Sequence, residues 1–338
     1  MSASPKKAPI TLKDIASDTE LSVATVSLAL RNDPSITEET RRRVLEAKRR
    51  LGYSPLRKRV SIKSLSAALS DSSGCKSILY CVAGFPVRKT QYADFLVGVM
   101  NACSQRKIRL EVKSIPPEEP LAEVDLPSEN IDGVILTGDF QQDTVDFFLK
   151  FNPNLVLLGN YPFHHAHSVE IDVFGMGEST ARRLVEDRHS NIVHLLRFPK
   201  NYYERQFLMG LRDGLEVHGI QLPASHILQI TDLAGSIVDT AKLVCSLRPA
   251  ITAVTSHAAN ITEACLTEIR CQQGGRKVPA GFGVGMISGE RPAPGLCLLD
   301  AGSERCGWLA VEKLCQIRDN PPPFPFASVL SPAGWKDR

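Results

Sequence analysis

Residues 10–55 read ITLKDIASDTELSVATVSLALRNDPSITEETRRRVLEAKRRLGYSP, and this stretch predicts three short helices. The first begins at Thr11, whose hydroxyl can cap free backbone amides while Asp14, three residues on, reaches back. The apolar residues that follow on one helical face are Leu12, Ile15 and Ala16. The stretch therefore opens with a short, capped, amphipathic helix.

A second helix is predicted to begin after Ser22, a good N-cap residue. Its apolar residues at helical spacing are Val26, Ala29 and Leu30. Only residues 19–21 remain for the turn between the two helices. Two short helices joined by so tight a turn predict a helix-turn-helix.

A third helix is predicted from Thr37, where Glu38 and Glu39 favour the positive end of a helix. Its buried stripe is formed by Val44, Ala47 and Leu51. Gly52 supplies a left-handed stop, and Pro55 prevents any continuation. The stretch therefore has the residues of a complete three-helix head.

Charge separates this head from the remainder of the chain. Residues 1–60 contain 13 Lys+Arg and 7 Asp+Glu, whereas residues 61–338 contain 27 and 30. A small helical bundle with a solvated basic face would be an alternative, but a basic head on a mildly acidic body is expected when only one end meets phosphates. The charge distribution favours a DNA-binding head.

The segments ITLKDIA, LSVATVSLAL, ITEETRRRV and LGYSP resemble the head of the lactose-repressor-type (LacI/GalR) bacterial transcription regulators. The resemblance implies a homodimer whose second helix enters the major groove of a near-palindromic operator in double-stranded DNA. It also implies a hinge and a two-lobed body with the fold of periplasmic binding proteins, able to bind a small-molecule effector. The match itself covers residues 10–55 only.

Carried across position by position, the resemblance implies a set of DNA contacts. The residues matching phosphate contacts are Thr11, Ser22, Thr25, Ser27, Arg31, Thr37 and Thr40. Those matching base readers are the apolar Val23, Ala24 and Leu28, and Leu12 and Tyr53 complete the candidate DNA-binding residues. In the turn, Glu20 stands where the family usually has Gly, at a cost of roughly 1 kcal/mol if the backbone there needs a positive φ.

Length and composition describe an ordinary globular chain. Its 338 residues suffice for two or three domains, and it is 43% apolar and 23% charged. No run approaches the roughly 18 apolar residues that span a bilayer, and the first ten residues contain no apolar targeting segment, so we expect a bacterial cytoplasmic protein associated with the nucleoid through DNA. The nine cysteines contain no CxxC pair, so we expect them to be reduced and mostly in the core.

Residues 57–74 predict a linker between the head, residues 1–56, and a body, residues 75–338. Ile62, Leu65 and Leu69 recur in it at helical intervals. The resemblance implies a hinge helix that inserts a side chain into the minor groove, and counting from the Tyr of LGYSP places Ile62 there, with Leu65 as the alternative. A plain flexible linker remains a third interpretation.

From Cys75 onward, short apolar runs alternate with helical periodicity, which is typical of an α/β fold with parallel sheets flanked by helices. First-lobe strands are predicted at 77–84, 108–115, 133–138 and 155–160. Second-lobe strands are predicted at 168–173, 191–198, 226–230, 251–256 and 282–287. A further strand and helix from 296 are predicted to cross back, so that lobe one is 75–165 plus 296–320 and lobe two is 166–295 plus the C-terminal segment.

A ligand cleft is expected outside the carboxyl ends of these strands. The candidate effector-binding residues there are Phe85, Tyr161, Arg205 and His257. The resemblance places an Arg and two Asp where this chain has Phe207, Ala258 and Ile287. We therefore expect a less polar ligand than a simple sugar, or none, with Arg205 as the cation that would touch an anionic group.

Other patterns carry less weight. The HHAH run at 164–167 could ligate a metal but has no partner at ligand spacing, and GFGVG at 281–285 suggests tight sheet packing rather than a phosphate loop. Because no catalytic set can be assigned from spacing, we predict no enzyme activity, no metal and no cofactor. The prediction is a LacI-type regulator. A body that only dimerises, or a solute-binding protein, remain alternatives.

Overall fold

The computed structural model describes residues 12–30, 36–51, 74–84, 90–117, 119–127, 130–163, 165–199, 201–231, 235–273, 278–285 and 294–336. The chain divides into two compact units, Met1–Lys58 and Arg59–Arg338, here called the head and the body. In the described ranges, no helix is both long and apolar enough to cross a membrane.

The head contains three helices, α1 (Leu12–Thr19), α2 (Val23–Leu30) and α3 (Glu38–Leu51). Each contributes two buried residues to one small core. These are Ile15, Ala16, Val26, Ala29, Val44 and Ala47. The three predicted helices are confirmed, and so is the burial of these six residues on their apolar faces.

The turn between α1 and α2 contains Glu20, which stands where the resemblance implies a Gly. Glu20 has a φ of 56°, in the left-handed region. The amide of Leu21 donates to the carbonyl oxygen of Ala16 at 3.0 Å, which closes the last turn of α1. A non-glycine residue therefore occupies a position where glycine would be free of steric cost.

The described body is built from twelve strands and seven α-helices. The strands are β1 (Ser77–Ala83), β2 (Arg109–Ile115), β3 (Gly133–Gly138), β4 (Leu155–Leu158), β5 (His167–Ile171), β6 (Ile192–Leu196), β7 (Ile227–Gln229), β8 (Ala253–Ser256), β9 (Ala280–Gly285), β10 (Leu296–Asp300), β11 (Ala327–Leu330) and β12 (Gly334–Lys336). The helices are α4 (Thr90–Arg106), α5 (Gln142–Phe151), α6 (Val173–Glu186), α7 (Tyr202–Val217), α8 (Gly235–Ser246), α9 (Ala259–Gln273) and α10 (Ser303–Asp319).

The strands form two six-stranded sheets, one in each lobe. The first has the order β11-β5-β4-β3-β1-β2 and is parallel throughout. The second has the order β12-β10-β9-β8-β6-β7, in which only β12 is antiparallel to its neighbour. The predicted two-lobed α/β architecture is confirmed.

The assignment of two strands to the lobes was wrong. The 168–173 segment, predicted in the second lobe, forms β5 in the first sheet, where Ser168 pairs with Leu157. The strand from 296, predicted in the first lobe, is β10 and pairs with β9 in the second sheet. Only the following helix, α10, returns to pack on α4, because apolar periodicity identifies a strand but not the sheet that it joins.

The C-terminal segment was also misplaced as a whole, since β11 joins the first sheet and β12 the second. The chain therefore passes between the lobes after β5, after β10 and after β11. The helix after β5, α6, begins at Val173, because Asp172 accepts a hydrogen bond from the amide of Gly175 at 2.7 Å and caps it.

Glycines allow one pair of helices in each lobe to touch through their backbones. A Cβ on Gly210 of α7 would lie 2.0 Å from the carbonyl oxygen of Phe174 on α6. In the first lobe, a Cβ on Gly307 of α10 would lie 2.1 Å from the carbonyl oxygen of Phe95 on α4. The predicted tight packing of GFGVG is also confirmed, since a Cβ on Gly283 would lie 2.6 Å from Cα of Ala259.

The cysteines contribute chiefly to packing. Six of the nine are buried, namely Cys75, Cys81, Cys103, Cys265, Cys306 and Cys315. Burial raises the pKa of Cys265 and of Cys306 to about 12 in each case. Their thiols are therefore protonated at neutral pH, and the prediction that the cysteines lie mostly in the core is confirmed.

Candidate functional site

The N-termini of α2 and α3 are both capped by exposed hydroxyl residues. The Ser22 hydroxyl accepts from the amide of Thr25 at 3.0 Å and lies 2.8 Å from the Thr25 hydroxyl. The Thr37 hydroxyl accepts from the amide of Thr40 at 3.3 Å. The predicted Ser22 cap is confirmed, and Thr37 caps α3 in the same way. Each cap places a pair of hydroxyls at the positive end of a helix, where phosphate oxygens bind well.

The remaining candidate DNA contacts are described less fully. Val23, in the first turn of α2, has 41% of its surface exposed, which is unusual for an apolar residue beside a packed core. Leu12, Ala24, Ser27 and Leu28 lie on α1 or α2, but their side chains are outside the described part of the chain. Thr11, Arg31, Tyr53 and Ile62 lie outside the described residues.

Three arginines of α3 hold the head together, a role that the sequence did not indicate. Arg43 donates from Nη2 to the carbonyl oxygen of Thr19 at 2.8 Å. Arg41 donates to the carbonyl oxygen of Ile36 at 3.0 Å, and Arg50 pairs with Asp18. The basic character of α3 is thus partly structural, because its guanidinium groups bind the ends of other segments.

At the carboxyl edge of the first sheet, Tyr161 is tied to the backbone. Its hydroxyl accepts from the amide of Gly138 at 2.9 Å and lies 3.1 Å from the carbonyl oxygen of the same residue. Its ring stacks on Phe140 with centroids 4.6 Å apart, and burial raises its pKa well above the usual value. Tyr161 therefore braces the ends of β3 and β4. Phe85, its predicted neighbour, lies outside the described residues.

In the second lobe, the residues predicted to lie at the ligand cleft have different surroundings. Arg205 lies exposed on α7. Phe207, at the position where the resemblance implies an Arg, is fully buried and stacks on His194 with centroids 5.7 Å apart. Ala258 is half-buried after β8, and Ile287 lies outside the described residues. Position 207 therefore belongs to the core of this lobe.

The structure brings His257 together with Glu204, which the sequence analysis did not single out. Glu204 is 1% exposed, and its Oε2 accepts from the amides of Arg197 and Phe198 at 2.9 and 3.0 Å. Its Oε1 lies 3.5 Å from Nε2 of His257. Burial raises the pKa of Glu204, whereas burial and the nearby Arg197 charge together lower the pKa of His257 to about 4. At neutral pH His257 is therefore an uncharged imidazole.

Several polar atoms in this region have no hydrogen-bond partner. Within the described part of the chain, these include Oε1 of Glu204, Nδ1 of His257 and the hydroxyl of Tyr203, all buried. The rings of Tyr203 and His257 lie 5.8 Å apart. A sequence signal for Glu204 existed, because Asn201 and Glu204 have the spacing of a capping box. The side chain of Asn201 does accept from the amide of Glu204 at 3.3 Å, but the Glu204 carboxylate turns to β6 instead.

The described histidines of the HHAH run are not arranged as the ligands of a metal ion. His165 lies 3.2 Å from Asp146 on α5, and His167 lies in β5, where its Nδ1 accepts from the amide of Phe326 at 3.3 Å. His164 is outside the described residues. In the described ranges, no three His, Cys, Asp or Glu side chains come together as a group that could hold a metal ion.

Comparisons with known proteins support both the helix-turn-helix head and the two-lobed fold of the body. Residues 11–55 match the family described as bacterial regulatory proteins, lacI family. The HTH-type transcriptional regulator GanR of Bacillus subtilis is 28% identical over 60% of this chain and 58% of its own length. AglR of Rhizobium meliloti is 28% identical over 61% and 57%, and catabolite control protein A of Priestia megaterium is 23% identical over 65% and 65%. The chain thus matches less than two thirds of the length of each of these relatives.

Solved structures share the whole architecture. A complex of the regulator CelR with cellobiose has a TM-score of 0.64 at 21% identity, covering 97% of this chain and 99% of that one. The lac repressor dimer bound to operator and the anti-inducer ONPF has a TM-score of 0.63 at 16% identity, covering 98% of each chain. At these identities the likeness shows the fold.

The fold and the capped head together define a class, the regulators that carry a helix-turn-helix head on a two-lobed body of periplasmic-binding-protein type. Residues 11–55 match the lacI family of bacterial regulatory proteins, and the chain is similar in sequence to GanR and in fold to the lac repressor. The resemblance seen in residues 10–55 is thereby confirmed. GanR and AglR are both named as HTH-type transcriptional regulators.

Proposed function

We propose that this protein is a sequence-specific transcription regulator that binds a near-palindromic operator as a homodimer and responds to a small molecule through its two-lobed body. The observation that carries the proposal is the pair of capped helix N-termini in the head, at Ser22 and Thr37. Two positive helix ends with paired hydroxyls can each hold a phosphate, which would fix α2 against the duplex.

The exposed Val23 supports a role for α2 in reading bases. Apolar side chains discriminate bases by contact with the thymine methyl group in the major groove. Val23 stands one residue after the Ser22 cap, so a phosphate bound at the cap would bring this side chain to the groove. Ala24 and Leu28 are the other proposed readers, and all three favour contacts with methyl groups over bidentate hydrogen bonds.

Dimerisation is supported by apolar side chains on the surface of the first lobe. Val97 and Met100, three residues apart on α4, are 44% and 52% exposed. Val112, on the edge strand β2, is 49% exposed. A second copy covering these side chains would remove them from water. Two-fold symmetry would then present two heads to two half-sites.

The experiment is selection of bound duplexes from a random pool with the full-length protein, followed by affinity measurements on the enriched site. The Thr25→Val variant removes one hydroxyl facing the proposed phosphate but retains the Ser22 cap. We expect it to weaken binding several-fold and to reduce the salt dependence. Thr19→Val is the matched control, because the Thr19 hydroxyl donates within α1 to the carbonyl oxygen of Ile15 at 2.7 Å. Recovery of no preferred sequence would contradict the proposal.

A further inference from the structure

We propose that Tyr203, Glu204 and His257 form the polar anchor of a ligand site in the second lobe, and that the ligand presents adjacent hydrogen-bond donors, either hydroxyl or amino groups. The inference rests on the proposed ligand response and assigns that response to particular residues and to a class of ligand.

The three residues meet at the carboxyl edge of the second sheet. Tyr203 and Glu204 lie in the first turn of α7, which follows β6, and His257 comes directly after β8. These strands are neighbours, with His194 paired to Thr255. In doubly wound sheets ligands bind outside this edge of the strands. The anchor therefore occupies the ligand-binding position of the fold while using side chains that the chain supplies at its own positions.

The orientation of the Glu204 carboxylate is fixed. Two backbone amides, those of Arg197 and Phe198, hold Oε2 at 2.9 and 3.0 Å. Oε1 is consequently held towards His257, 3.5 Å from its Nε2. A carboxylate oxygen held in this way accepts hydrogen bonds without first losing rotamer freedom, so the site is preorganised.

Unpaired buried polar groups define what the ligand must supply. Oε1 of Glu204, Nδ1 of His257 and the Tyr203 hydroxyl have no hydrogen-bond partner among the described residues. A polar group left unpaired when buried destabilises the protein, and a ligand that pairs with it removes that cost. An ionised carboxylate only accepts, and a neutral imidazole whose Nε2 carries the proton accepts at Nδ1. Oε1 of Glu204 and Nδ1 of His257 therefore select donors on the ligand, whereas the Tyr203 hydroxyl can either accept or donate.

Charge in the site opposes the anionic ligand that Arg205 suggested. A second carboxylate or a phosphate near Glu204 would add a like charge in a buried region, where repulsion is strong. The Arg197 charge acts on both Glu204 and His257 and partly offsets the carboxylate. Neutral hydroxyls and ammonium groups are thus both compatible with the anchor, and the experiment separates them.

Tyr203 places the anchor next to the seam between the lobes. Tyr203 packs against the buried cluster that contains Cys306 of α10. Because α10 packs in the first lobe while α7 belongs to the second, a ligand bonded to the Tyr203 hydroxyl would contact the place where the lobes join. Ligand binding could then change the relation of the lobes through this residue.

The test is titration calorimetry on the full-length protein with three probes, namely cellobiose for neutral hydroxyls, putrescine for ammonium groups and glucose 6-phosphate for an anion. We expect saturable binding of cellobiose or putrescine with a Kd below about 1 mM. Glu204→Gln should weaken that binding at least tenfold, since a hydrogen bond to a charged group is lost. Glu216→Gln, the same substitution at an exposed position near the other end of the same helix, is the matched control and should leave it unchanged.

Three results would overturn the inference. They are no binding of cellobiose or putrescine up to about 10 mM, binding unaffected by both Glu204→Gln and His257→Phe, and glucose 6-phosphate binding that depends on Arg205. Selection of DNA duplexes by the same preparation separates the two claims. If duplexes are selected but no probe binds, the ligand site fails while the DNA-binding function stands. If no duplex is selected, the DNA-binding function fails instead.

Discussion

Arg43 of α3 donates a hydrogen bond from Nη2 to the backbone carbonyl oxygen of Thr19, the last residue of α1, at 2.8 Å. Carbonyl groups in the final turn of a helix have no partner within the helix and carry its negative end. The bond therefore satisfies an exposed acceptor and fastens α3 to the start of the turn that positions α2. Arg43, one of the cations of the basic helix α3, therefore has a structural role within the head.

We expect Arg43→Ala to destabilise the head by about 1 to 3 kcal/mol, because a charge-assisted hydrogen bond is lost and the Thr19 carbonyl is left unpaired. Arg42→Ala is the matched control. It removes the same charge, but the Arg42 side chain is 71% exposed and only 4.0 Å from Glu46, so little stability should be lost. Hydrogen exchange of the Ile15 and Val44 amides in the full-length chain measures both. Equal protection in the two variants would show that the brace contributes nothing.

Replacing Glu20 is expected to stabilise the head, whereas replacing Arg43 is expected to destabilise it. Because its φ is 56°, Glu20→Gly should stabilise the head by about 1 kcal/mol, since glycine adopts the left-handed region without steric cost. The readout is again amide exchange, here in α1 and α2.

The same substitution at an ordinary helical position is the control for Glu20. Glu46→Gly, in the interior of α3 and exposed, should destabilise the head by about 1 kcal/mol. If both variants were destabilised alike, the left-handed turn would not be strained.

Buried histidines should make the body sensitive to acid. Burial lowers the pKa of His194 to about 3. The unfolded chain takes up this proton near pH 6.5 and the folded chain does not, so stability is lost as the pH falls from about 6.5 towards 3, by about 2 kcal/mol at pH 5 for one such group. The pKa of Glu204 is raised, which has the opposite sign and offsets part of the loss.

Urea unfolding between pH 7 and pH 5 measures this slope. His194→Gln should flatten it, because the group that differs in protonation between the two states is gone. His218→Gln, at an exposed position after α7, is the control and should leave the slope as it is. An unchanged slope in the His194 variant would mean that His194 is protonated equally in both states.

The linker gives a prediction about specificity. If Ile62 is the residue that enters the minor groove, Ile62→Gly should reduce affinity for the selected operator far more than affinity for random duplex, because only the specific complex contains the wedge. Leu65→Gly tests the alternative register. Equal losses on both kinds of DNA would argue against a wedge at the substituted position, and no loss in either variant would leave the segment as a tether.

The sequence predicted those parts of the fold that depend on residues close to one another in the chain. Ser22 was identifiable as a cap because capping depends on a side chain and an amide three residues away. The lobe to which β5 and β10 belong could not be predicted in this way. Both strands are short apolar runs, and the sheet that each joins depends on partners far along the chain. Glu204 was missed for a related reason, because its carboxylate bonds to the amides at the end of β6 and not within its own helix.

The central claim is that the head binds one near-palindromic DNA sequence through two symmetric copies, and the most direct measurement is the affinity of the full-length protein for the selected duplex as salt is raised. We predict a two-fold symmetric site and a logarithmic salt slope corresponding to roughly 6 to 10 phosphate contacts, with Thr25→Val lowering both affinity and slope. An asymmetric half-site bound by a monomer, or an affinity insensitive to salt, would contradict the account.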